Sequence, residues 1–313
     1  MRSTVLLLSL LIGAQTFHIL QMPDSKNHQE ITRLAILRAT EKVCESVDTA
    51  FKAPEPLDSE TLADACSRKD FASNFETSIR FISFYNVLRD IANIPGQYPE
   101  EHFDNETFKK GKRSITRRMK AITKKIEKYE FDDAREELGK VLHTVQDFYS
   151  HSDWIELGNT EPCTALINPE EEIPNPATKN MKTCDDSSDG PSEHIKDHII
   201  RGKILTSGYA RLFRPKGKCS HGGFPYSPDG INKDYSASSH GSLHNIAADV
   251  AINASVQLLE KILGSLTEDP ALNFLRLMGL HSEMPKGEWK PLISFLNFKP
   301  RYPTATGDEY VEV

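Results

Sequence analysis

Residues 142 to 154 read LHTVQDFYSHSDW and set His143, Asp147 and His151 at intervals of four. An α-helix advances 100° per residue, so positions i, i+4 and i+8 lie on one side within about 80°. Side chains so placed converge on one space, the arrangement by which helix bundles hold metal ions. The apolar residues Leu138, Val141, Leu142, Val145 and Tyr149 cluster on roughly the opposite side. A solvated polar face would show the same division, and the segment alone admits both readings. Gly139 leaves room on the histidine side, and Trp154 returns to it if the helix persists that far.

The neighbouring sequence extends the helical pattern. Apolar residues recur at helical spacing over residues 27 to 47, 71 to 93, 108 to 129, 131 to 154 and 239 to 266, with few Gly or Pro interruptions. The expected fold class is therefore all-α. Residues 158 to 238 hold three cysteines and most of the prolines and glycines, and read as a long, loop-rich, cysteine-containing insertion with one helix in HIKDHIIRGKILTSGYARLF. The basic stretch KRSITRRMKAITKKIEK, residues 112 to 128, gives Ile115, Met119, Ile122 and Ile126 as a buried stripe beneath a solvated cationic face.

A hydrophobic content of 38% and a charged content of 27% over 313 residues suit a globular chain and exclude a disordered one. The first sixteen residues, MRSTVLLLSLLIGAQT, have one cation, a short apolar run and small Ala14 and Thr16, the pattern of a secretory signal peptide. The run falls well short of the ~20 residues needed to span a bilayer. Cleavage would start the mature chain at Phe17. It would remove Arg2 and leave 37 basic against 45 acidic residues, a net charge of −8. That balance argues against a stable nucleic-acid complex. The expected location is secreted and extracellular, with no transmembrane segment.

Cys44, Cys66, Cys163, Cys184 and Cys219 fit an oxidising compartment with up to two disulfides and one cysteine left over. Cys44 with Cys66 is the first expected pair, because both lie in the N-terminal helical part. None has the CxxC spacing of a thiolate zinc site. Sequons at Asn105 and Asn253 are open to glycosylation in a secreted chain.

Other histidines also fall on apolar faces. In SSHGSLHNIAADVAI, His240 and His244 are one turn apart on the side that continues through Ala247, Ala248 and Ala251. Two adjacent core imidazoles need a partner for each ring nitrogen, and a shared cation would take one nitrogen of each. Satisfied core histidines are the competing reading. His28 opens its helix on the face of Ile31, Ala35 and Ala39, and Asp90 precedes His102 by twelve residues across a Pro-containing turn.

With these residues assembled, the chain resembles the zinc-dependent phospholipase C and single-strand zinc nuclease superfamily, an all-α fold with up to three Zn2+. Closer still, HQEITRLAI, EHFDNETF, LGKVLHTVQDFYSHSDWIELGN, ILTSGY, GKCSHGG, GINKD and SSHGSLHNIAADVAI resemble, in order, the N-terminal region of von Willebrand factor A domain-containing protein 7 and fungal Het-C proteins. The resemblance implies a phospholipase C-like helical bundle at 17–295, after a leader at 1–16 and before a flexible tail at 296–313. A von Willebrand factor A domain has no room here, so a stand-alone version is expected.

The resemblance also implies ligands. One zinc would be held by Asp90, His102, His143 and Asp147, and a second by His151, His240 and His244. A third would use His28, a bridging Asp147 and the amino group and carbonyl of Phe17, with Asp90 as the catalytic residue. Two departures stand out: His151 follows Asp147 after three intervening residues rather than five, and His244 replaces the usual glutamate. The implied chemistry is hydrolysis of a phosphodiester, in a phosphate-containing small molecule or lipid. The competing reading is a non-catalytic secreted protein whose helices are stapled by metal.

Overall fold

The computed structural model describes residues 24–92, 98–185, 193–210, 214–222 and 230–281. The expected leader 1–16, Phe17 and the tail 296–313 lie outside the described residues. The α-helices among them are α1 (His28–Val47), α2 (Ser59–Cys66), α3 (Ala72–Ala92), α4 (Phe108–Glu127), α5 (Phe131–His151), α6 (Asp197–Arg201), α7 (His244–Leu263) and α8 (Pro270–Leu277). No strand longer than an isolated bridge occurs among the described residues. The fold is all-α, as the periodicity implies.

Helix α5 is the axis of the bundle, in contact with α1, α3, α4, α7 and α8. Its first half is amphipathic, but every residue from Val141 to His151 is buried. A helix buried all round is a core helix, so the histidine side faces other helices and not solvent. Gly139 shows how closely one of these neighbours approaches. A Cβ there would stand 2.4 Å from the Ile82 carbonyl oxygen and 2.9 Å from the Asn86 nitrogen, both on α3. Only a glycine lets the two backbones meet so closely, and their approach carries Asn86 and Asp90 toward His143.

The capping chemistry matches the sequence. Asn27 caps α1 by accepting from the Glu30 amide, Asp58 and Thr61 form a capping box on α2, and Asp269 caps α8 ahead of Pro270. Buried Arg135 donates to the Leu277 and Arg276 carbonyls at the end of α8, the latter also accepting from the Gly279 amide. On α4, Ile115, Met119, Ile122 and Ile126 are the buried stripe the sequence predicts.

Two local expectations are revised. Helix α5 ends at His151, where Ser152 turns extended, so Trp154 does not return to the histidine face; it packs on Phe148 with ring centroids 5.6 Å apart. The helix expected after His194 is limited to Asp197–Arg201. Beyond Gly202 the chain runs extended, and Gly208 passes so near His221 that a Cβ would meet its Cα at 2.5 Å. The short helices α2 and α8 carry too few turns for their periodicity to register.

Cys44 and Cys66 are joined, tying α1 to α2, and Cys184 pairs with Cys219 to close the loop-rich insertion; Cys163 is free and buried. No helix among the described residues is long and apolar enough to cross a membrane.

Candidate metal centres

Helix α5 supplies His143 and Asp147, α3 supplies Asp90, the first residue of α1 supplies His28, and the turn before α4 supplies His102. Their ligand atoms meet in the core. Asp147 Oδ2 stands 2.9 Å from His102 Nδ1 and 3.0 Å from His143 Nε2, and those two nitrogens are 3.1 Å apart. Asp90 Oδ1 lies 3.7 Å from His143 Nε2 and 4.0 Å from His102 Nδ1. On the other side, His28 Nε2 is 3.1 Å from Asp147 Oδ1 and 3.9 Å from Asp90 Oδ2. Both carboxylates thus face His28 with one oxygen and the His102–His143 pair with the other.

Outer hydrogen bonds fix which ring atoms face inward. His28 Nδ1 bonds Gln146 Oε1 at 2.6 Å, and the same oxygen accepts from Asn86 Nδ2. His143 Nδ1 approaches Asn86 Oδ1 at 3.3 Å, and Thr32 Oγ1 accepts from both amide groups. With each Nδ1 donating to an amide oxygen, the Nε2 of a neutral ring presents its lone pair to the carboxylates. Lone pairs aimed at carboxylate oxygens repel unless a proton or a cation lies between them.

The spacing suits a cation. Ligand bonds of 2.0–2.1 Å in a tetrahedral zinc site put the ligand atoms about 3.3 Å apart. The triangle of His102 Nδ1, His143 Nε2 and Asp147 Oδ2, with edges of 2.9 to 3.1 Å, is near that face; Asp90 Oδ1 lies farther out, 3.7 and 4.0 Å from the two nitrogens, and Asp90 also groups with His28 and His143. The donor set therefore fits a zinc-type divalent ion. In the absence of an ion, protons carry the balance. Burial disfavours charge on His28 and His102, yet Asp147 and Asp90 outweigh it and raise both pKa values. His143 goes the other way: burial, aided by charge on His28 and His102, pushes it down to about 3 against the pull of Asp147. Asp147 is held well below the usual carboxylate range, the surrounding imidazoles overcoming its burial.

A second cluster lies on the far side of His102. His151 Nε2 is 3.2 Å from His221 Nε2 and 3.4 Å from Asp234 Oδ1, while Asp104 Oδ1 lies 3.7 Å from His221 Nε2. His151 Nδ1 bonds the His102 carbonyl at 2.9 Å, and His221 Nδ1 bonds the Gly222 carbonyl at 2.8 Å. Two imidazole Nε2 atoms consequently face each other, with carboxylates on either side. Asp104 Oδ1 and Asp234 Oδ2 are buried and receive no well-directed hydrogen bond from the described residues. Burial resists protonation of His151, but Asp104 and Asp234 prevail and raise it well above an ordinary histidine. This set also suits a divalent ion.

The two clusters bring together His28, Asp90, His102, His143, Asp147 and His151 of the expected residues, but not His240 and His244. His240 Nδ1 bonds Glu156 Oε1 at 2.6 Å, and His244 bonds the Lys233 carbonyl through Nδ1 and accepts from the Lys26 amide through Nε2. Neither belongs to a group of described residues that could hold a metal. The reason is local: Gly241–Leu243 is a 3-10 turn and α7 begins at His244, so the pair does not share an α-helical face. Asp104, His221 and Asp234 take the place expected of them. Their signals were the motifs EHFDNETF, GKCSHGG and GINKD, which lack helical periodicity.

An all-α bundle whose central helix carries two buried histidine–carboxylate clusters defines the class of molecule. The chain belongs to the VWA7 N-terminal domain family, which matches residues 57–272 and so includes every cluster residue except His28. It is 31% identical over 288 residues to mouse von Willebrand factor A domain-containing protein 7, covering 84% of this chain and 31% of that protein. For the rat protein of the same name the identity is 33% over 295 residues, and for the human one 32% over 290, each covering 84% of this chain and 32% of the relative. The chain thus spans about a third of the length of these relatives. No solved structure matches.

Proposed function

We propose that this domain is a secreted zinc-binding protein that hydrolyses phosphodiesters, with phosphate-containing small molecules or lipids as its substrate class. The observation that carries the metal reading is the triangle of His102 Nδ1, His143 Nε2 and Asp147 Oδ2, three ligand atoms within 3.1 Å of one another in a buried site. His102, His143, Asp147 and Asp90 would hold one ion, His28 with Asp147 a neighbouring one, and His151, His221, Asp104 and Asp234 a third. Zinc at such a site supplies an acidified water and charge stabilisation for phosphoryl oxygens.

The residues themselves do the rest. Four carboxylates against three divalent ions leave two positive charges, which favours a phosphate anion. Asp90 faces both halves of the first cluster, which supports a role in orienting the attacking water or taking its proton. Asn86 and Gln146 hold His143 and His28 in the tautomer that points Nε2 inward.

Complete burial of His28, His143, Asp147 and His151 favours a second reading, in which the metal only staples helices. Full-length chain, secreted so that its leader is processed naturally, separates the two. Zinc by elemental analysis, with turnover of bis(p-nitrophenyl) phosphate or phosphatidylcholine that Asp90→Asn abolishes, supports the hydrolase. Zinc that raises the melting temperature without turnover supports the staple. Protein free of transition metal, loading none on dialysis, overturns both.

A further inference from the structure

Helix α4 carries nine of the chain's 38 Lys and Arg residues and a single carboxylate, Glu127, in a protein whose net charge is −7. Several of these cations are engaged in place. Arg118 binds Glu101 and Glu137, Lys125 binds Asp133, and Lys112 reaches the carbonyls of Pro169 and Glu171. Lys110, Arg113, Arg117, Lys120 and Lys124 differ. All five are exposed, none is paired with a carboxylate among the described residues, and together they line a groove of about 840 Å³. Their spacing of three, four, three and four confines them to about 80° of the helix surface, and they extend over about 21 Å.

Five like charges along one line repel one another, so the row destabilises the isolated helix and awaits a counter-charge. A linear polyanion meets it along its whole length. The groove's lining narrows the chemistry. Among the described residues that line it, two are acidic, Glu100 and Glu101, the latter held by Arg89 and Arg118; none is aromatic, so bases have nothing on which to stack, and Ala121 is the one apolar side chain, which offers a bilayer no anchor. Two disulfides fit an oxidising compartment, and outside cells sulfate esters on polysaccharides are the abundant linear polyanion. We propose that the Lys110–Lys124 row is a binding groove for a sulfated polysaccharide. The proposal does not depend on the metal centres.

The test uses the full chain and immobilised heparin as probe. If five cations engage, the salt slope is about −3.5, which corresponds to a roughly 100-fold loss of affinity between 50 and 200 mM salt. The reversal R113E/R117E/K120E should abolish retention at 150 mM salt with an unchanged melting temperature. A control of equal charge change at scattered exposed sites, K52E/K179E/K216E, should be retained. Should the reversal variant misfold, acetylation of the wild-type chain decides the matter: heparin should protect Lys110, Lys120 and Lys124 and leave Lys52 and Lys179 reactive. The proposal is overturned by absence of retention, by equal loss in the control, by protection that misses α4, or by tighter binding to phosphatidylserine vesicles or oligothymidylate than to heparin.

Discussion

Substituting Gly139→Ala tests the packing that builds the first candidate metal centre without touching any of its histidines or carboxylates. The added Cβ would stand 2.4 Å from the Ile82 carbonyl oxygen, 2.8 Å from Tyr85 Cβ and 2.9 Å from the Asn86 nitrogen. Ordinary contact begins near 3.4 Å, so α3 must withdraw from α5 by about 1 Å. The groups struck are backbone and cannot swing aside. Overpacking of this kind costs about 1–3 kcal/mol, which in a domain of this size lowers the melting temperature by roughly 2–12 °C. The more telling effect falls on the site. Asp90 and Asn86 ride on α3, and Asp90 Oδ1 already stands at 3.7 Å from His143 Nε2. A further ~1 Å takes it beyond the reach of an ion held by His102, His143 and Asp147, given ligand bonds of about 2.0–2.2 Å. Differential scanning fluorimetry of chelated and zinc-loaded protein reads both effects. The chelated variant should melt below wild type, and the gain on adding zinc should shrink by more than that difference. A variant with unchanged melting and an unchanged zinc-dependent gain refutes the close approach of α3 and α5 as the determinant of the site.

Removing His221 or Asp234 by His221→Ala or Asp234→Asn should lower zinc content by one ion per chain, whereas His240→Ala and His244→Ala should leave it unchanged; elemental analysis distinguishes them. In chelated protein the pH dependence has two opposed parts. His143, with a folded pKa of about 3 against 6.5, stabilises above pH 6.5 and loses that contribution as pH falls toward 3, while His28 and His102, raised above 6.5, stabilise below it and lose their effect as pH rises through their folded values. His143→Gln should therefore flatten the fall in urea midpoint between pH 6.5 and 4, and an identical fall in the variant contradicts the assignment. Burial pushes the Cys163 thiol up to about 12, so iodoacetamide at pH 8 should leave it unmodified in native protein and label it once the chain is unfolded, as mass spectrometry would show.

The helices were legible wherever a long apolar stripe repeated, as on α1, α4 and α5, because burying such a stripe is what stabilises a helix. The first cluster was legible for the same reason: His143 and Asp147 share a helical face, and His28 heads a helix whose face is apolar. The second cluster was not legible beyond His151. Asp104, His221 and Asp234 come from turns and extended segments, where no period relates a residue to its neighbours in space. His240 and His244 have helical spacing in sequence but straddle a 3-10 turn, and local spacing does not report where a helix starts.

The three-residue segment His102, Phe103, Asp104 bends through a left-handed Phe103, φ 55°, whose ring is wholly buried. His102 gives its ring to one cluster and its carbonyl to His151 of the other, and Asp104 reaches the second cluster from the next residue but one. A rigid elbow of this kind has no slack with which to insulate its two ends. Loading either centre would preorganise its neighbour, and by thermodynamic reciprocity each would tighten the other's grip by the same factor. Titrated zinc would then enter cooperatively, and depleting one pocket would loosen the second.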